Sequence, residues 1–168
     1  DSRRARGRYL EVRLKLSIAT LLRHCAAECI GTFGLVFAGC GAIIINDLTG
    51  GTVTHIGVSI TFGLAIATMV FATGHLSGGH INPAVTLALA MTRNFPWHKV
   101  PAYWSAQLLG ALTAAMLLHW LFGNIASLGT TAPAGSSAQS LGLEMVLTFL
   151  LMFVIMAVAT DSRAAGGV

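Results

Sequence analysis

One run near the middle of this chain starts a helix where a helix start is hard to accommodate: Ser77-Gly78-Gly79-His80-Ile81-Asn82-Pro83-Ala84-Val85-Thr86. Asn82 is a good N-cap. Pro83 suits the first helical position, because the N–H it lacks would have no intrahelical partner there. The apolar stretch that follows, residues 83–91, ends at Arg93-Asn94-Phe95-Pro96. Nine helical residues extend about 13 Å, less than half of a hydrocarbon core about 30 Å thick. Around it lie four apolar segments long enough to cross a bilayer, residues 24–45, 54–73, 100–122 and 140–159. Ser77 to His80 are too small or polar to extend the second of these. Irregular backbone at membrane depth is tolerated only where protein or a water-filled cavity surrounds it. Residues 83–91 therefore read as a re-entrant or interfacial half-helix, and a pore is the first functional expectation.

Composition and charge agree. The chain is 55% hydrophobic and 10% charged, with mean hydropathy +0.75, whereas about a quarter of a soluble domain is charged. An integral, all-α membrane protein follows. The net charge of +4 is no nucleic-acid signal, because of where it sits. Seven of the ten basic residues precede the first span: Arg3, Arg4, Arg6, Arg8, Arg13, Lys15 and Arg23. Residues 1–23 read as a solvated, poorly ordered cytoplasmic tail touching anionic lipid. No cleavable signal peptide is evident, since the first apolar run is too long for one. With the tail inside, the loops 46–53 and 123–139 are outside and hold no Lys or Arg, while Arg93, Lys99 and Arg163 are inside. All ten basic residues then share one side, as the positive-inside rule requires. A full span at 83–91 would move Arg93 and Lys99 across, so the charges support the half-helix independently. Cys25, Cys29 and Cys40 show neither a disulfide framework nor metal-ligand spacing, and read as small core residues.

The chain also repeats itself. Glu28-Cys-Ile-Gly-Thr-Phe-Gly-Leu-Val-Phe37 aligns with Glu144-Met-Val-Leu-Thr-Phe-Leu-Leu-Met-Phe153, identical at five of ten positions. The offset is 144 − 28 = 116 residues. The charge rule makes the first copy run outward and the second inward, which is an inverted repeat of the kind found in membrane transport folds. A partner for Asn82-Pro83-Ala84 is expected at 82 + 116 = 198, beyond Val168. The sequence is therefore expected to be truncated after the fourth span, with the second half of the second repeat absent. The 168 residues alone are expected not to form a selective pore.

Together these features resemble the aquaporin or major intrinsic protein family, of bacterial type. The resemblance covers residues 24–168, an incomplete transmembrane domain. It rests on Ala27-Glu28-Cys29-Ile30-Gly31-Thr32-Phe33, Gly74-His75-Leu76 with the ten-residue run above, Ala106-Gln107-Leu108-Leu109-Gly110-Ala111, and Ala159-Thr160-Asp161. It implies an inverted-repeat helix bundle in which two half-helices meet head to head at the membrane centre. Asn82, Pro83 and Ala84 would form the pore motif, with the Asn82 amide donating to a passing oxygen. The carbonyls of Gly78, Gly79, His80 and Ile81 would line one half of the pore as acceptors. Glycine suits this, having no side chain to occlude the lumen. Phe62, followed by Gly63-Leu64, would sit at the constriction and resembles that of water-selective members. The other constriction residues would lie beyond Val168. Glu28 and Glu144, with Gln107, would brace irregular pore loops. His80 and His75 would be packed, hydrogen-bonded residues rather than ligands, and Ala106, Gly110 and Ala114 form a stripe suited to close helix packing.

Two functions follow from these residues. One is a passive channel for water, and in a wider form small neutral solutes such as glycerol, excluding protons and ions. The positive end of a half-helix at the midplane opposes cations, and a water oriented by Asn82 is a poor proton conductor. The other is a proton-coupled secondary transporter using Glu28 and Glu144, because an ionisable group inside a span is a functional candidate by default. No enzyme activity, cofactor, metal or nucleic-acid partner is expected. The resemblance implies a homotetramer in a cell membrane.

Overall fold

The computed structural model describes the backbone of residues 2–160 and the side chains of residues 16–158. The basic side chains of residues 3–15, those of Ala159-Thr160-Asp161, and Arg163 lie outside the described residues. Five α-helices carry the chain: α1 (Ser2–Leu48), α2 (Thr54–Ser77), α3 (Pro83–Met91), α4 (Val100–Phe122) and α5 (Ser137–Thr160). Among the described residues there is no strand, and four helices are long and apolar enough to cross a membrane. These are Leu16–Leu48, Thr54–Ser77, Trp97–Phe122 and Ser137–Val158. The protein is an all-α, multi-pass membrane protein. Helix α1 departs from the sequence expectation, because helical backbone starts at Ser2 rather than near residue 24. Arg, Leu, Glu and Lys are strong helix formers, and no proline interrupts the run.

Helix α1 is the axis of the bundle and packs against both α2 and α4. Small residues set the approach. A Cβ built on Gly110 of α4 would meet the Cys29 carbonyl oxygen and lie 3.0 Å from the Phe33 nitrogen, so the backbones of α4 and α1 touch at this point. Ala106 and Ala114 are buried on the same stripe of α4. On the other side of α1, Gly34 faces Met69 and Gly39 faces the Phe62 ring. Without hydrophobic drive between helices in lipid, such close approach and the interhelical hydrogen bonds it permits hold the bundle together.

Short connections finish the frame. Asn46 Oδ1 accepts the Thr54 N–H at 2.8 Å and closes the α1–α2 turn. After α3 the chain reverses where the N–H groups of Asn94 and Phe95 both donate to the Leu89 carbonyl, at 2.9 and 3.1 Å. Between α4 and α5, the turn Ala126–Gly129 rests on α1, with Gly129 against Cys40. Helix α5 has no buried residue among those described. The three cysteines are free and half-buried, Cys25 reaching the Ala102 carbonyl at 3.7 Å.

Candidate pore loop and its carboxylate anchor

The segment between α2 and α3 is held by one side chain. Glu28 of α1 is 0% exposed and accepts four hydrogen bonds. Its Oε1 takes the Ser77 hydroxyl at 2.6 Å and the His80 N–H at 2.9 Å. Its Oε2 takes the Ile81 N–H at 2.7 Å and Gln107 Nε2 at 2.7 Å. Every partner is a donor, so an acceptor-only carboxylate is satisfied at both oxygens. Removed from water, a carboxylate would be costly without such partners, and the loop's N–H groups would be equally costly without it. Charge-assisted bonds of this length are about twice as strong as neutral ones.

A second layer of polar contacts locks the anchor. Gln107, also 0% exposed, passes its Nε2 to Thr86 Oγ1 at 2.9 Å. Thr86 Oγ1 lies 3.1 Å from His80 Nδ1 and donates to the Asn82 carbonyl at 3.1 Å. Tyr103 donates its hydroxyl to the Ser77 carbonyl at 2.7 Å, which leaves the His24 Nδ1–H, 3.2 Å away, as donor to the phenol oxygen. The rings of His80, Phe95 and Tyr103 pack edge-on or tilted with centroids 4.6 to 5.1 Å apart, pinning the return of α3 beneath the loop.

Loop geometry explains the residue types. Gly78 (φ 93°) and Gly79 (φ 61°) take the left-handed conformation that glycine adopts cheaply. Ile81 takes φ 54°, a strained choice for a β-branched residue. It is over-determined from three sides. Its N–H goes to Glu28, its carbonyl shares the Thr32 hydroxyl (3.2 Å) with the Glu28 carbonyl (2.8 Å), and its side chain packs into the space over Gly31. Asn82 then caps α3, with φ −149° and Oδ1 accepting the Ala84 N–H at 2.8 Å. That bond fixes which way the amide faces, so Nδ2 points away and donates to nothing among the described residues. Pro83 occupies the first helical position, and its carbonyl accepts Trp104 Nε1 at 3.0 Å.

Gly78, Gly79 and His80 line a cavity of about 390 Å³ whose other walls are Ile66 and Val70 of α2, Val85 and Leu89 of α3, and Leu151 and Ile155 of α5. Their three carbonyls accept no hydrogen bond from the described residues. Ile81 is buried and does not line this cavity, and its carbonyl lies 3.2 Å from Thr32 Oγ1. Phe62 is half-buried, lies over Gly39 and does not line this cavity. Glu144 is exposed on α5 and makes no hydrogen bond to the described residues. His80 is packed as expected, whereas His75 is exposed. Ser77, Thr32 and Thr86 fall within the sequence motifs but carry no anchoring role there, and Tyr103 falls in none. Thr32 stands one helical turn after Glu28 and Tyr103 one turn before Gln107, a register that could have found both.

The profile of the family described as Major intrinsic protein matches residues 15–167. The chain is 55% identical over 141 residues to Aquaporin NIP1-3 of Oryza sativa subsp. japonica, covering 83% of this chain and 49% of that protein. It is 47% identical over 146 residues to Nodulin-26 of Glycine max, covering 86% and 54%. These are plant proteins and lend no support to the bacterial type expected from sequence. The structure resembles the aquaglyceroporin of Plasmodium falciparum with a TM-score of 0.55 and 34% identity, over 61% of this chain and 42% of that one. The chain thus spans about half the length of the curated relatives it matches.

Proposed function

The chain belongs to the major intrinsic protein family, and from that premise we propose that it supplies one half of a passive channel for water and small neutral solutes such as glycerol. The observation that carries this is the pairing of donor and acceptors at the start of α3. Asn82, next to the cavity but not among its lining residues, has an uncommitted Nδ2, and Gly78, Gly79 and His80, which line the cavity, have carbonyls that accept no hydrogen bond from the described residues. A molecule with a hydroxyl can accept from the first and donate to the second. The apolar walls opposite offer nothing to an ion. The positive N-terminal end of α3 adds a barrier to cations and hydronium. The protein is on this account a channel and no enzyme.

Glu28 is poorly suited to carry protons. Four donors surround it, so a proton arriving there would meet no acceptor and would break the loop's anchor. Its repeat counterpart Glu144 stands apart on α5. Both facts speak against the proton-coupled transporter. Phe62 is retained as the α2 contribution to a constriction, and a cell-membrane homotetramer with a cytoplasmic N-terminus as the form of the whole protein.

The test joins residues 24–160 to the second half of the rice relative and reconstitutes the chimera in liposomes. Stopped-flow light scattering should give water permeability well above protein-free liposomes with a low activation energy, and a trapped pH dye should report no proton flux. Osmotic responses equal to empty liposomes from a folded chimera, or uptake driven by a proton gradient, would overturn the channel.

A further inference from the structure

A second concavity, of about 320 Å³, opens between the start of the first span and the turn before α4. Leu16, Ser17, Thr20 and Leu21 of α1 form one side, and His98 and Lys99 the other. Leu16 to Leu21 lie within two turns before residue 24, where the first apolar segment starts, and His98 and Lys99 directly precede α4 (Val100–Phe122). With Arg23 and Lys99 bounding these two segments on one side, the groove lies at their shared entry, at headgroup level. Lys99 is half-buried in it and has no counter-ion among the described residues. The described carboxylates are Glu28, Asp47 and Glu144. The first is saturated by its loop donors, the second stands near the far end of α1, and the third is on α5. The Thr20 hydroxyl is directed to the Leu16 carbonyl at 2.9 Å, which leaves the exposed Ser17 as the hydroxyl able to donate. A half-buried cation with no counter-ion among the described residues, a hydroxyl with no acceptor among them, an imidazole and two leucines make a seat for an anion that carries an apolar chain.

We propose that this groove binds the phosphate of an anionic phospholipid, with Lys99, His98 and Ser17 on the phosphate and Leu16 and Leu21 on the first acyl carbons. The site is distinct from the pore loop and stands whether or not that loop conducts. It rests only on the chain spanning a membrane.

Native mass spectrometry of the purified chain in detergent tests it, with phosphatidylglycerol and phosphatidylcholine of identical acyl chains as probes. Phosphatidylglycerol should be retained in preference. Lys99→Gln should lower that preference about fivefold, the worth of one cation near a headgroup. Lys99→Arg should keep it, and so should Arg93→Gln, which removes a nearby exposed cation outside the groove. If Lys99→Gln does not fold, Ser17→Ala at its exposed position should give a smaller loss of about twofold, the worth of one weak hydrogen bond. Equal retention of the two lipids would overturn the proposal. An Arg93→Gln loss as large as that of Lys99→Gln would do so too, since it would mean diffuse surface charge. Complete displacement of phosphatidylglycerol by millimolar inorganic phosphate would also sink it, because the groove would then be reading a free anion.

Discussion

Ile81 and Glu28 show how much one residue can be made to bear. A β-branched residue at φ 54° costs on the order of 1 to 3 kcal/mol and persists only where its surroundings insist. Glu28 is the largest part of that insistence. In Glu28→Gln one acceptor oxygen becomes an NH2 group that faces donors, so two of the four bonds are replaced by donor–donor contacts. Destabilisation of about 3 kcal/mol is expected, read as a lower thermal midpoint of the detergent-solubilised protein. Little change in that midpoint would show that the carboxylate is not what holds the loop. Asn82 separates two roles that sequence alone cannot. Asn82→Asp keeps the oxygen that caps α3 and removes the donor that faces away from it. Stability should move by less than about 0.5 kcal/mol, since aspartate and asparagine cap about equally well. In the chimera described above, water permeability should fall and cation leak should rise, because a carboxylate replaces a donor. An unchanged permeability would assign Asn82 to capping alone.

At the scale of elements, helix α3 and the α1–α4 contact carry opposite lessons. The bounds of α3, Pro83–Met91, are those expected from sequence, because capping by Asn82, the fixed φ of Pro83 and the loss of apolar character at Arg93 act within a few residues of the helix. The α1–α4 contact was legible only as a stripe of small residues. Which of them touches backbone depended on the packing, and it is Gly110. Gly110→Ala has no flexible side chain to push aside, so α4 must move from α1, taking Gln107 from Glu28. A loss of about 2 to 3 kcal/mol is expected, against less than about 1 kcal/mol for Gly63→Ala, whose Cβ would meet nothing. Thermal midpoints of the two variants side by side check this, and equal losses would count against the close contact. Helix α1 shows where the reading from composition stopped short. Helix α1 extends well before the apolar span, because the basic, polar residues there are good helix formers and the backbone is helical from Ser2.

Across the whole molecule, stability is uneven. Helices α1, α2 and α4 share the core and the polar network, whereas α5 has no buried residue among those described and meets the rest through the cavity wall at Leu151, Val154, Ile155 and Val158. Amide hydrogen exchange in detergent should therefore be fastest in residues 123–136 and appreciably faster across α5 than across the α1–α4 contact. Uniform protection of α4 and α5 would show that α5 is docked more firmly than its contacts imply. The amino-acid sequence by itself determined the membrane class, the four spans, the half-helix with its cap, and the family. Each of these depends on hydropathy summed along a segment or on neighbours a few residues apart. Only the tertiary structure decided that Glu28 grips the loop between α2 and α3, and that Ile81 is turned away from the cavity that Gly78 to His80 line. Those outcomes hang on hydrogen bonds between groups 49 to 79 residues apart in the chain, which exist only where α1, the α2–α3 loop and α4 are packed together.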